Sequence, residues 1–441
     1  MSIQPKILVF TVSSWNSRVG ANTWATLLEQ YGSENIANIC IRDELPDSPV
    51  CSRYFCVSEN KVLKSIFNRK IKTGKEIHSL QEQSQENTGD LIEHNRRYQK
   101  YRKKRSYLML LMRECVWKIG KWKTKELNEF LDDFKPNIIL HSMEGYIHLN
   151  RMIEYAIERT KANAIGYIWD DNFTYKQSTL LGYKIYRYFQ RKSLKRLAKK
   201  TKQFFAITPK TKKEADSFFG IECRVLTKPL NCIPECTTNV DAFRPIQILY
   251  TGNLLIGRDV TLRKIVKVLK SIPNVEEKIE LNIYTQTQLD DQSLHFFNCG
   301  FCHIYSAIPQ LEVLQKQKEA DVLLFLEDID GKNSKTARLS FSTKITDYLS
   351  SGKCIFAVGN KELAPIEYLK ENEAALVACD QTEIEREIAR ILTDRYSLIT
   401  YAQKAVECGL KNHNPQLIRK QLNDVIISLL QERETENDVN L

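Results

Sequence analysis

Two stretches decide how this chain reads: Ile248-Leu-Tyr-Thr-Gly-Asn-Leu-Leu-Ile-Gly-Arg258 and, further along, Phe341-Ser-Thr-Lys-Ile-Thr-Asp-Tyr-Leu-Ser-Ser-Gly352. The first runs an apolar strand into a glycine turn that ends on a basic residue. Gly252 permits close backbone approach, and Arg258 with the helix start beyond it supplies positive potential. The second places Ser342 and Thr343 at a helix start, Lys344 beside them, and Asp347 one turn in, on the face it shares with Thr343. Phosphate on N–H groups and cations, with a ribose diol on a carboxylate, is the chemistry such a pair offers, so the two stretches predict a nucleotide diphosphate site.

Working outward, short apolar runs alternate with helical, charged segments. The first series is Ile7–Phe10, Ile36–Ile41, Asn137–Leu140, Ala164–Trp169, Phe204–Ile207 and Cys223–Leu226; the second is Ile246–Tyr250, Ile279–Tyr284, Cys302–Tyr305, Val322–Leu326, Cys354–Val358 and Ala375–Ala378. This is the pattern of βαβ units around parallel sheets. With 441 residues, two α/β domains of roughly 200 residues each are expected. The reading divides the chain into an N-terminal Rossmann-like domain, 1–236, with a basic helical segment at 60–130; a C-terminal Rossmann-like domain, 245–412; and a terminal helix and tail, 413–441. The break falls in the turn-rich link Pro234–Pro245, and Gln416–Gln431 reads as an amphipathic helix.

The spacing Gly252-x4-Gly257-Arg258-Asp259 imitates a P-loop, but Asp259 would repel phosphate and lacks the hydroxyl that binds magnesium. Cys299-Gly-Phe-Cys302-His303 spells a haem attachment pattern, read here as chance in a strand-bearing region. Cys51/Cys56 and Cys232/Cys236 have no partner pair at zinc-site spacing, so no metal is expected. No stretch of the sequence approaches the ~20 apolar residues a membrane span needs. Nor does the start of the sequence look like an export signal. A cytoplasmic protein with reduced thiols among its 12 cysteines is expected.

The net charge of +11 is concentrated between Arg96 and Lys123, interleaved with Leu, Met and Trp. Such a stretch suits the inner face of an anionic membrane. An ordinary amphipathic helix with a solvated face is the plainer alternative. Nucleic acid is a weaker one, because no reader motif accompanies the charge.

The whole chain resembles the family 4 glycosyltransferases and their GT-B relatives, particularly bacterial enzymes of capsule, exopolysaccharide and O-antigen assembly. The resemblance runs from the first strand to about residue 410. The family's glycine-basic loop is matched by Gly252, its diphosphate-binding lysine falls on Arg258, and Asn253 stands where the family has arginine. Its carboxylate-Phe-Gly-carboxylate signature is matched at Phe341 and Asp347, with Ser342 for the glycine and Leu339 for the first acid. Thr208–Lys212 and Thr227-Lys-Pro-Leu-Asn231 match elements ahead of the hinge.

The resemblance implies an α/β, GT-B fold of two Rossmann-like domains with a cleft between them. It also implies a hexosyl- or related glycosyltransferase of the retaining type, with Leu339 leaving the stereochemical outcome open. The expected partners are a nucleoside-diphosphate sugar donor, a lipid-linked saccharide acceptor and an anionic membrane surface through 96–123. The donor is a substrate and no cofactor is implied. Arg258, Lys344 and Asp170 are the catalytic candidates. Gly252, Asn253, Ser342, Thr343, Asp347 and Gly20 are the donor-binding ones, and Asn22, His141 and Glu144 lie on the acceptor side. A non-catalytic relative that binds a sugar nucleotide or acts as a scaffold, and a basic nucleic-acid-binding protein, are the alternatives.

Overall fold

The computed structural model describes all residues except 1–3, 16–22, 43–44, 79–106, 231, 235–243, 332–333 and 440–441. The chain forms two compact units, residues 1–226 with 418–441, and residues 227–417.

The sheet of the first unit is built from β1 (Ile7–Thr11), β2 (Ile36–Cys40), β3 (Arg53–Val57), β4 (Gly74–His78), β5 (Ile138–Ser142), β6 (Asn163–Ile168), β7 (Gln203–Ala206) and β8 (Arg224–Val225). Its order is β4-β3-β2-β1-β5-β6-β7-β8. All neighbours are parallel except β4, which runs antiparallel to β3. β1, β2 and β5 are buried along their whole length, as continuous apolar strands covered on both faces must be. β3 and β4 were not anticipated. Arg53-Tyr-Phe-Cys-Val57 is apolar enough, but β4 is the polar Gly-Lys-Glu-Ile-His, an edge strand with no hydrophobic alternation to reveal it.

The second unit holds β9 (Ile246–Thr251), β10 (Ile279–Thr285), β11 (Cys302–Ser306), β12 (Val322–Leu326), β13 (Cys354–Val358) and β14 (Leu376–Ala378). The order is β11-β10-β9-β12-β13-β14, all parallel. Strand order therefore reverses between β9 and β12, and in an open α/β sheet that reversal opens a crevice at the carboxyl ends of the strands. Both deciding stretches end there or on the helix leading into β13.

Helix limits follow local chemistry. Thr208 caps the helix Pro209–Phe219 by accepting from Thr211 N, Pro209 takes the first turn, and Gly220 ends it in the left-handed region.

The unit boundary falls earlier than the Pro234–Pro245 link. Thr227 Oγ1 donates to Asn412 O at 2.6 Å and Leu230 N to His413 O at 2.9 Å, which ties the start of the link into the second unit. The helix Pro415–Val439, read from sequence as a separate tail, is part of the first unit from Ile418 onward. Its Ile418, Leu422, Val425, Ile426 and Leu429 are buried, each worth about 1.5–3 kcal/mol over exposure. Gln421 donates to Val225 O at 2.9 Å, and Asn163 to Leu429 O at 2.8 Å. Cys299 and Cys302 close a tight turn into β11 through paired backbone bonds, with Cys302 in the core, so the haem-like spelling is a structural turn.

Candidate active site

At the end of β9 the chain folds back tightly. Gly252 has φ +143, Ile256 +61 and Gly257 +83. Gly252 N donates to Tyr284 O at 2.9 Å, and the Tyr250 hydroxyl donates to Asn253 O at 2.5 Å. Asn253 Oδ1 accepts from Leu255 N at 3.3 Å and from Arg258 Nη1 at 2.8 Å. Asn253 thus shapes the turn, and its side-chain oxygen already has partners.

Arg258 begins the helix Arg258–Lys270. Its Nε donates to Leu326 O at 3.0 Å and its Nη2 to both oxygens of Glu327, at 2.9 and 3.0 Å. The pair is mostly buried, with 16% and 6% side-chain exposure. Burial disfavours the guanidinium charge, but the charge and hydrogen bonds of Glu327 hold its pKa above the ordinary arginine value. Arg258 therefore cross-links the ends of β9 and β12 at the switch point. Arg258, expected to contact the diphosphate, is engaged by Glu327, a residue the sequence reading passed over. The only signal was its position, directly after the buried strand Val322–Leu326.

The unmatched cation is Lys344. It opens the short helix Lys344–Leu349 behind Thr343. Its ammonium lies over the Tyr250 ring, 4.9 Å from the centroid, and among the described residues no hydrogen-bond or ion-pair acceptor holds it. Burial, then the nearby Arg258 charge, push its pKa down to about 8, against the opposing pull of Glu327 and Asp347. A Cβ on Gly252 would stand 1.8 Å from Lys344 Nζ. The missing side chain at 252 is therefore what gives the ammonium its place beside the turn. Gly252→Ala is expected to displace Lys344 and to strain a backbone that L-residues rarely adopt. Diphosphate affinity should fall on the order of tenfold or more, measured by calorimetry against wild type.

Asp347 follows one turn later. Its carboxylate is 3.8 Å from the ammonium of Lys228, whose side chain is 2% exposed. Burial lowers the Lys228 pKa, and Asp347 opposes that shift. Sequence reading noted Lys228 only within the Thr227–Asn231 element. Ser342 O accepts from Ile345 N, and Thr343 O from Thr346 Oγ1 at 2.7 Å. The Thr343 side chain makes no cap bond and is exposed. Gly252, Arg258, Lys344 and Asp347 are thus linked through contacts within one unit, with Glu327 and Lys228 added.

In the first unit the candidates follow β5 and β6. His141 lies inside β5, fully buried, its Nε2 3.1 Å from Thr201 Oγ1, and burial pushes its pKa down to about 4. It is a neutral core histidine and not an exposed acceptor-side group. Glu144, just beyond β5, accepts from Ser142 Oγ at 2.9 Å. Burial, with Asp170 adding like-charge repulsion and Arg42 opposing, pushes its pKa up to about 7. Arg42 Nη1 donates to Ser13 Oγ at 2.9 Å. Asp170 follows β6, while the neighbouring Asp171 is spent on a turn, accepting from Thr174 N at 2.9 Å and Thr174 Oγ1 at 2.5 Å. Gly20 and Asn22 lie outside the described residues.

The basic stretch 96–123 falls partly outside them too, up to residue 106. In the helix Tyr107–Ile119 and the turn after it, Trp117 and Trp122 are buried rather than facing a membrane. Arg113 is ion-paired with Glu59, Lys121 Nζ donates to Arg69 O at 3.1 Å, and Lys123 sits over Tyr155 at 4.6 Å.

No protein-family model and no curated protein sequence matches the chain. Solved structures do. The α,α-trehalose-6-phosphate synthase of Burkholderia multivorans superposes with a TM-score of 0.58 at 10% identity, over 98% of this chain and 100% of that one. Sucrose-phosphate synthase from Thermosynechococcus elongatus gives 0.59 at 12%, over 97% and 99%. Anabaena HepE in complex with UDP gives 0.60 at 10%, over 96% and 100%. The fold is GT-B, with two Rossmann-like domains.

Proposed function

We propose that this chain is a glycosyltransferase that moves a sugar from a nucleoside-diphosphate donor to a lipid-linked or saccharide acceptor, in capsule, exopolysaccharide or O-antigen assembly. The observation that carries the reading is the unmatched Lys344 ammonium beside Gly252, at the strand-order reversal of the second sheet, with Asp347 one helical turn away. The neighbours lend support: HepE was solved with UDP and with UDP-glucose, and a trehalose-phosphate synthase of Burkholderia xenovorans with glucose-6-phosphate.

In this reading the departing diphosphate gathers negative charge next to Lys344, which binds it more strongly in the transition state than in the ground state. Asp347, 3.8 Å from the ammonium of Lys228, accepts from the ribose hydroxyls. Asp170 and Glu144 meet the acceptor hydroxyl in the first unit. Asp170 is the assigned base, and burial, with the Asp170 charge adding to it, pushes the pKa of Glu144 up to about 7. Donor and acceptor enter as substrates, and the reading calls on no cofactor.

A second reading, a sugar-nucleotide binder without transfer, is favoured by Leu339, which is fully buried where the resembled family carries an acid near the transferred sugar. One experiment separates the two. Nucleoside diphosphates are titrated by calorimetry, and nucleotide-sugar consumption is followed over a panel of acceptors. Transfer is expected, and Asp170→Asn should lower it by ~10²-fold with the diphosphate affinity unchanged. Binding without turnover would favour the second reading, and no binding of any nucleoside diphosphate would sink both.

A further inference from the structure

The helix Leu181–Ala198 carries no acidic residue. Its exposed face is divided along its length. Leu181, Ile185, Tyr188 and Phe189 occupy the N-terminal half, with Leu181 73% and Tyr188 57% exposed. Lys192, Lys195 and, just past the end, Lys199 continue the same stripe at helical spacing, all exposed. Tyr188, Lys192, Lys195 and Lys199 line one shallow groove together with Arg191 and Arg196. Glu154 pairs with Arg196. Neither Lys192 nor Lys199 has an ion-pair partner among the described residues, and Lys195 Nζ lies over the Phe218 ring at 4.8 Å.

The helix Tyr107–Ile119 packs beside the start of this one, the Tyr107 and Tyr183 rings being 5.7 Å apart. It shows Leu108, Met109 and Met112 to solvent, Leu108 at 67%. Two neighbouring helices of one unit thus each carry exposed apolar side chains, and on the helix Leu181–Ala198 these run on into exposed lysines. Nucleic acid would leave the Leu, Ile and Met side chains unused, and an acidic protein partner would not call for so many exposed aliphatic groups beside the lysines.

We propose that this two-helix face docks on an anionic phospholipid bilayer, the apolar half entering the headgroup boundary and the Lys192–Lys199 groove taking lipid phosphates. Of the basic stretch 96–123 expected in this role, residues 96–106 lie outside the described residues. The surface stands on exposure and charge alone. Its use, to reach a lipid-borne acceptor, rests on the glycosyltransferase reading.

The test is co-sedimentation of the full chain with vesicles of phosphatidylcholine, with and without phosphatidylglycerol. Binding to the anionic vesicles is expected, falling as salt rises, with little on the neutral ones. Each well-placed cation adds roughly fivefold, so Lys192→Glu with Lys195→Glu should weaken binding at least tenfold. Leu181→Ser with Ile185→Ser, which leaves the net charge unchanged, should do the same. Lys267→Glu with Lys270→Glu, an equal charge change on an exposed face of the second unit, should cost less than twofold. Circular dichroism and nucleotide calorimetry on the same preparations report folding and the donor site. Lost vesicle binding with intact nucleotide binding locates the effect at this face. Wild type that ignores lipid charge, variants that bind as wild type does, a dimer that the Leu181/Ile185 pair breaks without any vesicle binding, or capture of duplex DNA or RNA in place of vesicles would each overturn the proposal.

Discussion

Lys344→Met is expected to lower sugar transfer by ~10²–10³-fold, the range found when one preorganised electrostatic contact to a developing anion is removed. Arg258 and Glu327 neutralise one another, Asp347 faces Lys228, and Lys344 keeps a charge beside the turn that no acceptor among the described residues holds. Methionine preserves the packing over Tyr250 and removes only the ammonium. Stability should therefore change little, or rise, since a partly buried unpaired cation is a cost to the fold.

The pH dependence gives a second check. With its pKa lowered to about 8, Lys344 is charged below that pH and neutral above it. Diphosphate affinity of the wild type should be full near pH 7 and fall as pH rises through about 8, and this fall should be missing in Lys344→Met. Stability runs the other way. Between about pH 8 and the ordinary lysine value of 10.5 the unfolded chain holds the proton that the native state has released, so this residue makes the fold more stable as pH rises through that window. Calorimetric titrations of the nucleoside diphosphate that binds, at pH 7 and pH 9, with urea denaturation alongside, measure both. Equal affinity at the two pH values in the wild type would remove Lys344 from the diphosphate.

Arg258→Met should act mainly on the fold. It strands the Glu327 carboxylate, 6% exposed, in a buried position, and breaking one partner of a buried pair costs about 3–5 kcal/mol. Glu327 is held there by its backbone, with its N–H on Val358 O at 2.9 Å and its carbonyl accepting from Thr261 Oγ1 at 2.7 Å, so it has no easy route to water. The double variant Arg258→Met, Glu327→Met should recover most of the loss, because no unpaired charge remains. Losing the Arg258 charge should also raise the Lys344 pKa toward its ordinary value and move the alkaline fall in diphosphate affinity to higher pH. Urea midpoints of wild type, single and double variants decide the matter. If Arg258→Met abolishes diphosphate binding at unchanged stability, its guanidinium serves the ligand directly and the pairing argument fails.

Much of this was legible without coordinates. Each of the twelve apolar runs is a strand in the folded chain, and the central ones stand out because strands buried on both faces must be nearly all apolar. Gly252 and Asp347 were found because their residue types answer to one local rule each, a turn that needs no side chain and a carboxylate at (i, i+4) on a helix. β4 was invisible because an edge strand needs no apolar pattern. Trp117 and Trp122 misled because composition reports that a helix has aromatic residues but not which way they face. His141 was a similar case, a polar residue type satisfied inside the core by Thr201.

What the amino-acid order determined alone is the alternation of strands and helices, hence two parallel sheets, and the turn and helix that carry the polar groups, because these depend on neighbours a few residues apart. Which cation is free was decided only by tertiary structure. Arg258 and Lys344 look equivalent along the chain, and Coulomb energy depends on distances that folding sets: it brings Glu327, from a strand far along the sequence, against the arginine and leaves the lysine with an aromatic face and the open place beside Gly252.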